Sequence, residues 1–186
     1  EKLVVSLMAG VSMETLQAHT GSKHVVRAMP NAAAEIKRSY TPWFRSKAVS
    51  AEERAFVQTL FETCGTADEV ASEGDIDYLT ALSGSGPAFP ALLADALLSH
   101  ALARGLPEPV ARRAVAGVVC DASQLIAGPQ ASPDEIVRAF MEYRGTTDAG
   151  LRAMQDAGFA ETVHAGLSAA VAKAAAMANT RNEIQE

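Results

Sequence analysis

The chain has 186 residues, of which 48% are hydrophobic and 20% charged, the balance of an ordinary soluble globular protein with a sizeable core. A net charge of −6 and a pI near 5.2 argue against nucleic-acid partners and anionic membrane surfaces. Cys64 and Cys120 lie far apart without CxxC spacing, and the four histidines are scattered singly. We therefore predict two reduced, buried thiols, a cytoplasmic protein and no metal site. Charged residues or glycines interrupt the longest apolar stretches, which predicts no membrane span.

Short strands and helices alternate over the first 72 residues, as in an α/β layer with some parallel pairing. Pro42 lacks an amide hydrogen, so its strand is predicted to lie at an edge of the sheet. No GxGxxG motif follows the early strands, so the phosphate-binding half of a nucleotide-binding domain is expected upstream. The predicted strands cover residues 3–9, 24–30, 39–44 and 64–70.

Two helices in this region have recognisable ends. Ser12 is a suitable N-cap for the segment METLQAHT, and Gly21 is suited to end that helix. Ser50 and Glu53 form the pattern of a capping box, which predicts a helix that runs to about Glu62.

After residue 72 the pattern is wholly helical, so we divide the chain into domains at 1–72 and 73–186. Several of the later helices carry apolar residues on nearly every face and must therefore be buried on several sides. We predict that they pack against a second copy of the chain in a homodimer. The predicted helices cover 87–105, 107–128, a segment after Ser132-Pro133, a segment from near Thr147, and about 160–180.

The segment LSGSGPAF, residues 82–89, has the composition of a helix start. Pro87 suits the first helical position, and Ser85 or Gly86 suits the cap. Gly84 and Gly86 leave the backbone bare, so a ligand or a neighbouring chain could approach closely. Free amides at a helix N-terminus favour a small anion. The alternative is a tight domain junction with an ordinary capped helix.

The segment RGTTDAGL, residues 144–151, is a second start of this kind. Thr147 is the predicted cap, and Thr146 adds a hydroxyl beside the flexible Gly145. These groups could hold a carboxylate, to which Arg144 adds positive charge and which Asp148 opposes. An ordinary threonine-capped helix is the alternative.

The motifs TALSGSGPAF (80–89), GLP (105–107), GTTDAGL (145–151) and GF (158–159) occur in an order that resembles the dimerisation domain of pyrroline-5-carboxylate reductases. Upstream, VVSLMAGVSMETL (4–16) and VVRAMPN (25–31) resemble the closing strands of that family's Rossmann domain. The resemblance implies the carboxyl-terminal part of a Rossmann domain followed by an α-helical domain like the C-terminal domain of 6-phosphogluconate dehydrogenase. It also implies hydride transfer from NADPH or NADH to a cyclic imine carboxylate, giving L-proline, in a homodimer or a higher oligomer.

The family's roles carry over to the matching positions of this sequence. Thr147 and Ser85 are the implied catalytic residues, and the active site is implied to lie between a Rossmann domain and helical-domain residues, the partner chain's included. The substrate is implied to contact Ser83, Gly84, Glu142, Arg144, Gly145, Thr146 and Thr147. The cofactor is implied to contact Ala9, Gly10, Met29, Pro30, Asn31 and Thr80.

The chain departs from the family's usual pattern at two places. EYRG (142–145) stands where the family usually has Ser-Pro-Gly-Gly, and the residues after Asn31 are AAA (32–34) instead of Thr-Pro. Glu142 would repel an anionic substrate unless Arg144 pairs with it. Two alternatives follow: a reductase of another cyclic imine or keto acid, and a catalytically silent dimerisation or regulatory module.

Overall fold

The computed structural model describes residues 2–127 and 132–183. They divide into two compact units, one of Glu1–Pro87 with Gly166–Glu186 and one of Ala88–Ala165. The first unit contains a four-stranded sheet in the order β1-β2-β3-β4. The pairs β1–β2 and β3–β4 are parallel, and β2–β3 is antiparallel. The strands are β1 (Val4–Ser6), β2 (Val25–Ala28), β3 (Ser39–Arg45) and β4 (Gly65–Glu69), so each predicted strand is present.

The prediction that Pro42 marks an edge strand is wrong, because β3 lies between β2 and β4. Trp43 is the register partner of Ala28, the last residue of β2, so Pro42 lies opposite the residue that follows the strand. The Pro42 carbonyl still accepts a hydrogen bond from the Met29 amide at 3.0 Å. The hydrogen bond that Pro42 cannot donate would lie beyond the end of β2. The ladder between β2 and β3 is therefore complete, and the interior strand tolerates the proline.

Helices α1 (Met13–Thr20) and α2 (Ala51–Glu62) form where the capping patterns predict them. Ser12 accepts from the Thr15 amide, and Gly21 ends α1 with φ 68°. Side chains alternate across a strand, so the two faces of β2 join two apolar clusters. Val25 packs with Met13 and Leu16 of α1. The cluster on the opposite face contains Val26, Ala28, Trp43, Val49, Val57, Phe61 and Ala67.

The helix predicted to start at Pro87 is present to within one residue, because a helix starts at Ala88, but the helical segments that precede it were not predicted. A capping box of Ser72 and Asp75 opens α3 (Glu73–Leu79), which continues into a π-helical turn, Thr80–Gly84. Helix α4 (Ala88–Ala103) then follows a short bend. Ser85 donates its amide to the Thr80 carbonyl at 3.1 Å, so this amide is not free for an anion.

The second unit is helical throughout its described part, apart from the turns between helices. Its regular helices are α4, α5 (Glu108–Ala116), α6 (Pro133–Glu142), α7 (Thr146–Asp156) and the first residues of α8 (Phe159–Glu183), which continues into the first unit. The helix predicted over 107–128 changes into a π-helical turn at Gly117–Asp121 and a 3-10 helix at Ala122–Ala127, and residue 128 lies outside the described residues. The cap of α7 is Gly145, not Thr147 as predicted. The prediction that both thiols are buried is also wrong, because Cys64 is half-buried and Cys120 is exposed in the single chain.

The helical stretch Glu73–Ala103 is, within the described residues, long and apolar enough to cross a membrane by length and composition. The prediction that no apolar stretch is long enough to span a membrane does not hold by length and composition, since Asp95 is the only charged residue between 79 and 103. Only 6% of its apolar window is buried in the chain. One such helix is weak evidence for a membrane protein.

The sheet-bearing unit extends to Pro87, beyond the predicted domain boundary at residue 72. Helix α3 belongs to this unit and is joined to β2 by ion pairs from Arg27 to Glu73 and Asp77. The domain boundary at residue 72 stays a prediction. In the structure, α3 packs with the sheet-bearing unit.

Candidate functional site

Two predicted cofactor-binding segments follow the carboxyl ends of neighbouring parallel strands. Ala9 and Gly10 come after β1, and Met29–Asn31 come directly after β2. In open α/β sheets, ligands bind at the edge formed by the carboxyl ends of the parallel strands. The Met8 amide donates to Ser6 Oγ at 3.3 Å, which folds the chain over the end of β1. Gly10 has a φ of 70°, a conformation that favours glycine.

Asn31 connects the segment after β2 to the π-helical turn. Its Nδ2 donates to the Ser83 carbonyl at 3.0 Å, and its Oδ1 accepts from the Ala33 amide at 2.9 Å. The Asn31 amide donates to Ser39 Oγ at 3.0 Å. This side chain therefore fixes the position of the π-helical turn, and both of its polar ends are used within the protein.

Three of the predicted hydroxyls, two in the π-helical turn and that of Ser85 directly after it, differ in their hydrogen bonding. Thr80 Oγ1 donates to the Ile76 carbonyl at 2.7 Å, and Ser83 Oγ donates to the Leu79 carbonyl at 2.8 Å. These two oxygens remain available only as acceptors. Ser85 is exposed, and its hydroxyl makes no hydrogen bond recorded among the described residues. Ser85 can therefore donate as well as accept.

The two glycines of this turn have different surroundings. A Cβ at Gly86 would lie 3.0 Å from the carbonyl oxygens of Leu82 and Ser83, so the bend needs glycine. A Cβ at Gly84 would lie 3.5 Å from Met29 Cγ, an ordinary contact. The turn and the segment after β2 thus lie against each other at Gly84 and Met29. π-Helical turns inside helices occur frequently at functional sites.

A buried arginine lies beside these segments. The Arg27 side chain on β2 is 4% exposed and donates to Glu73 Oε1 at 2.5 Å and to Asp77 Oδ1 at 3.0 Å. The same Glu73 oxygen accepts from the Met13 amide at 2.6 Å. Arg27 Nε is buried without a hydrogen-bond partner among the described residues.

In the second unit, the loop EYRG joins α6 to α7. Glu142 is the last residue of α6, and Tyr143 follows with 89% of its surface exposed. Arg144 has a φ of 50°, a conformation usually taken by glycine, so this loop keeps a glycine-like backbone with a charged side chain. No ion pair joins Arg144 to Glu142 in the described part of the chain, so the suggested compensation of Glu142 is absent.

The start of α7 carries the predicted substrate-binding threonines. Gly145 is the cap and accepts from the Ala149 amide through its carbonyl at 3.2 Å, which places Thr146 and Thr147 in the first turn. Gly145 has no side chain that could accept from the first amides of α7, so no capping side chain satisfies them. Asp148 pairs with Arg152 at 2.8 Å, which offsets the negative charge expected to oppose an anion here.

Comparison with known proteins identifies the lineage of these motifs. The family model "Pyrroline-5-carboxylate reductase dimerisation" matches residues 73–177, more than half of the chain.

The chain belongs to the pyrroline-5-carboxylate reductase family.

Curated members of the family match most of the chain. Pyrroline-5-carboxylate reductase 2 of Bacillus subtilis is 34% identical over 88% of the chain, and the Synechocystis enzyme is 32% identical over 90%. The chain spans 59% and 62% of these two relatives, so about two fifths of each has no counterpart in this sequence.

Solved pyrroline-5-carboxylate reductases share the fold. The Streptococcus pyogenes structure is 30% identical with a TM-score of 0.86, over 95% of this chain and 68% of that one. The Plasmodium falciparum structure, which has NADP bound, is 25% identical with a TM-score of 0.85, over 95% and 71%. The predicted combination of an α/β layer with a helical dimerisation domain is confirmed.

The sequence motifs led to the segments of this family's candidate site but not to the ion pairs that support them. In the first unit, the segment after β2 and the π-helical turn are brought together, as the family motifs imply. Arg27, Glu73 and Asp77 were not predicted. An arginine inside the apolar strand HVVRAMP was a usable signal, because a buried guanidinium needs acceptors and EGDID is an acidic segment.

Proposed function

We propose that this chain is the carboxyl-terminal part of an NAD(P)H-dependent reductase that reduces the C=N bond of 1-pyrroline-5-carboxylate to L-proline. The observation that carries the proposal is the match of the family model to residues 73–177, which contain both glycine-rich motifs. The relatives with that name and the NADP-bound structural neighbour support the same chemistry and cofactor.

The residues around the ends of β1 and β2 fit the nicotinamide end of NADP or NAD. Ala9, Gly10 and Met29 offer small or apolar surface, and Pro30 leaves no amide to satisfy. Asn31 fixes the π-helical turn, and Thr80 offers an acceptor oxygen with its proton already used. When bound, the cofactor supplies the hydride.

The substrate side of the proposal uses neutral groups. A protonated cyclic imine has an electrophilic carbon, so positioning does most of the catalytic work. Ser83 can only accept, which suits the N–H of the iminium, while Ser85 and Gly84 border the same turn. Gly145, Thr146 and Thr147 offer amides and hydroxyls to the carboxylate.

The hydride adds to the imine carbon, the C=N π pair becomes the lone pair on nitrogen, and the proton already on nitrogen stays there.

We further propose a cytoplasmic homodimer formed through the helical unit. Of the fourteen buried apolar side chains recorded in the structure, Ala111 is the one from Ala88–Ala165. Large apolar side chains of α4 are exposed, among them Leu92 at 71%. Coverage by a second copy would remove this surface from water, and the family model is that of a dimerisation domain.

The test is turnover by the protein expressed from its complete reading frame, with NADPH and pyrroline-5-carboxylate. Thr147→Ala should lower kcat/KM by about 10- to 100-fold, the cost of one hydrogen bond to a charged group, and Thr147→Ser should retain most activity. The control is Thr63→Ala, which removes a hydroxyl bonded to Leu60 O in α2 and should leave kcat/KM unchanged. No turnover by the wild type rejects the activity, and an unaffected Thr147→Ala variant rejects the assigned residue.

A second candidate function is the reduction of a different cyclic imine or keto acid. The observation that favours it is the EYRG loop, in which exposed Tyr143 and Arg144 precede the threonines of α7. A panel of imines and keto acids should be assayed with the wild type and with the loop changed to Ser-Pro-Gly-Gly. Proline formation that appears only after the change would favour this second function.

A catalytically silent dimerisation module remains the alternative from another class. It predicts a stable dimer that neither binds NADPH nor turns over any member of the panel. Calorimetric titration with NADPH separates this outcome from altered substrate choice, in which the cofactor still binds.

A further inference from the structure

Arg27 is an unusual residue for its position. It lies in β2 with Val25, Val26 and Ala28, and all four are buried. Its guanidinium is withdrawn from water and bound to two carboxylates that are 32% and 44% exposed. Replacing a buried ion pair with apolar side chains is often neutral for stability or improves it. Core stability alone therefore gives little reason for a charge at this position.

One partner of Arg27, Glu73, connects the starts of two helices. Glu73 is the first residue of α3, which leads into the π-helical turn with Thr80 and Ser83. The oxygen of Glu73 that binds Arg27 also accepts from the amide of Met13, the first residue of α1. Helix α1 follows the Ala9–Gly10 turn after two further residues.

Arg27 is also connected to the remaining cofactor segment through the backbone. It is separated from Met29 by one residue of β2, and Met29–Asn31 continue that strand. Three segments with proposed roles at the cofactor thus converge on one guanidinium. The Ala9–Gly10 turn is reached through Glu73, the π-helical turn through α3, and Met29–Asn31 through β2.

The bonding of the guanidinium is directional. Nη1 donates to Glu73, and Nη2 donates to Asp77, one turn further along α3. Two points on the helix are therefore fixed relative to the strand. Two contacts on one face of a short helix restrict its rotation as well as its distance. A lysine ammonium lacks this planar two-nitrogen geometry and could hold one carboxylate at a time well.

We propose that Arg27, acting through Glu73 and Asp77, is a positioning residue for the nicotinamide end of the cofactor. This inference rests on the proposed function, since it concerns how the reductase holds NADPH. The network sets the Ala9–Gly10 turn and the π-helical turn at fixed positions around the ends of β1 and β2. Arg27 itself does not touch the reacting atoms.

The test compares Arg27→Met and Glu73→Ala with Arg45→Met in the full-length protein. Arg45 on β3 pairs with Glu69 of β4 in the same sheet, so it is a control ion pair outside the α3 network, with a more exposed arginine. Calorimetric titration should give a dissociation constant for NADPH raised on the order of tenfold in both test variants, since displacement of positioning groups carries costs of that size or more. The Arg45→Met variant should stay within about twofold of the wild type, below the effect expected of misplaced groups.

Two further measurements separate positioning from general loss of stability. Hydrogen–deuterium exchange should accelerate over residues 7–13 and 78–86 in Glu73→Ala and stay unchanged there in Arg45→Met. In steady-state assays, kcat should fall while the KM for the imine changes little, and Arg27→Lys should recover part of kcat. Glu73 is partly exposed, so Glu73→Ala remains informative if Arg27→Met does not fold.

The inference is overturned if Glu73→Ala binds NADPH as tightly as the wild type, or if Arg45→Met weakens binding equally. A wild type that binds NADPH but reduces no pyrroline-5-carboxylate rejects the proposed reaction, while the binding and exchange data still test the network. A wild type that does not bind NADPH overturns both.

Discussion

The two compact units of the chain use charged side chains in opposite ways. In the sheet-bearing unit, ion pairs join different elements: Arg27 joins β2 to α3, and Arg45 joins β3 to β4. In the unit Ala88–Ala165, the ion pairs found among the described residues run from i to i+4 within one helix. Such pairs stabilise a single helix slightly and do not connect it to its neighbours.

The distribution of apolar side chains shows the same contrast. The first unit buries Trp43 and Val57 in a continuous cluster between sheet and helix, whereas Leu92 and Phe89 of the second are exposed. Hydrophobic burial is the dominant favourable contribution to folding. The first unit therefore contains the contacts that hold its elements together, and the second exposes the apolar surface that the proposed second copy would cover.

The largest effect that tests this contrast is expected from Leu92→Asp, with Ile36→Asp as its counterpart. The two side chains are about equally exposed in the single chain, at 71% and 69%, but Ile36 lies in the sheet-bearing unit. If α4 is covered in a dimer, Leu92→Asp removes two buried leucines per dimer and adds two charges there. The dissociation constant of the dimer should increase about 100-fold or more, since burial of one leucine contributes about 1.5–3 kcal/mol.

Analytical ultracentrifugation over a dilution series measures this difference. Ile36→Asp should sediment like the wild type at every concentration. A dimer that survives Leu92→Asp would mean that this face of α4 is not the covered one, and dissociation by Ile36→Asp would remove the distinction between the units.

A smaller effect is expected from alanine at two glycines with positive φ. A Cβ at Gly65 would lie 2.0 Å from the Ser39 carbonyl oxygen, whereas one at Gly105 meets nothing within 4 Å. Gly65→Ala should therefore cost about 3 kcal/mol or more of unfolding free energy, because β3 and β4 must separate. Gly105→Ala should cost about 1 kcal/mol, from backbone conformation alone. Urea denaturation measures both, and a larger loss at Gly105 would show that another chain fills the space beside it.

Local signals in the sequence were sufficient for most elements of the fold. The capping residues Ser12, Ser50 and Ser132 precede helices as predicted, and all four predicted strands form. These features depend on residues within a few positions of each other. The family motifs also imply that the segment after β2 lies at the cofactor, which stays a prediction, and Asn31 of this segment contacts the π-helical turn.

The failures concern interactions between residues far apart in sequence. Pro42 was assigned to an edge strand because its neighbours in the sequence do not show where β2 ends. In the folded sheet, β2 ends at Ala28, one position before the residue that would pair with Pro42. The local Ser-Gly-Pro pattern predicted the helix start at Pro87, and a helix begins one residue later, but no local pattern predicted the earlier start at Glu73, which is held by Arg27, 46 positions away in the chain. The arginine inside an apolar strand signals a buried guanidinium that needs acceptors, but its partners are identified only once the sheet and α3 are packed.

The smallest effect compares two capping boxes, one in each unit. The amide of Ser50 and the ring of His24 bind the Glu53 carboxylate and hold its pKa below the ordinary value of 4.5. Ser132 alone lowers the pKa of Glu135 in the same way. A carboxylate with a lowered pKa stabilises the folded state above its ordinary pKa, and this contribution is lost as pH falls through the folded-state value.

Glu53→Gln and Glu135→Gln should therefore each destabilise the protein at neutral pH and match the wild type in acid. Urea denaturation from neutral pH to below the carboxylate range should show the larger difference for Glu53→Gln, because His24 ties its helix to β2 across elements. Equal differences would mean that this cross-element contact adds nothing to the cap, and the contrast between the units would then rest on apolar burial and on Arg27.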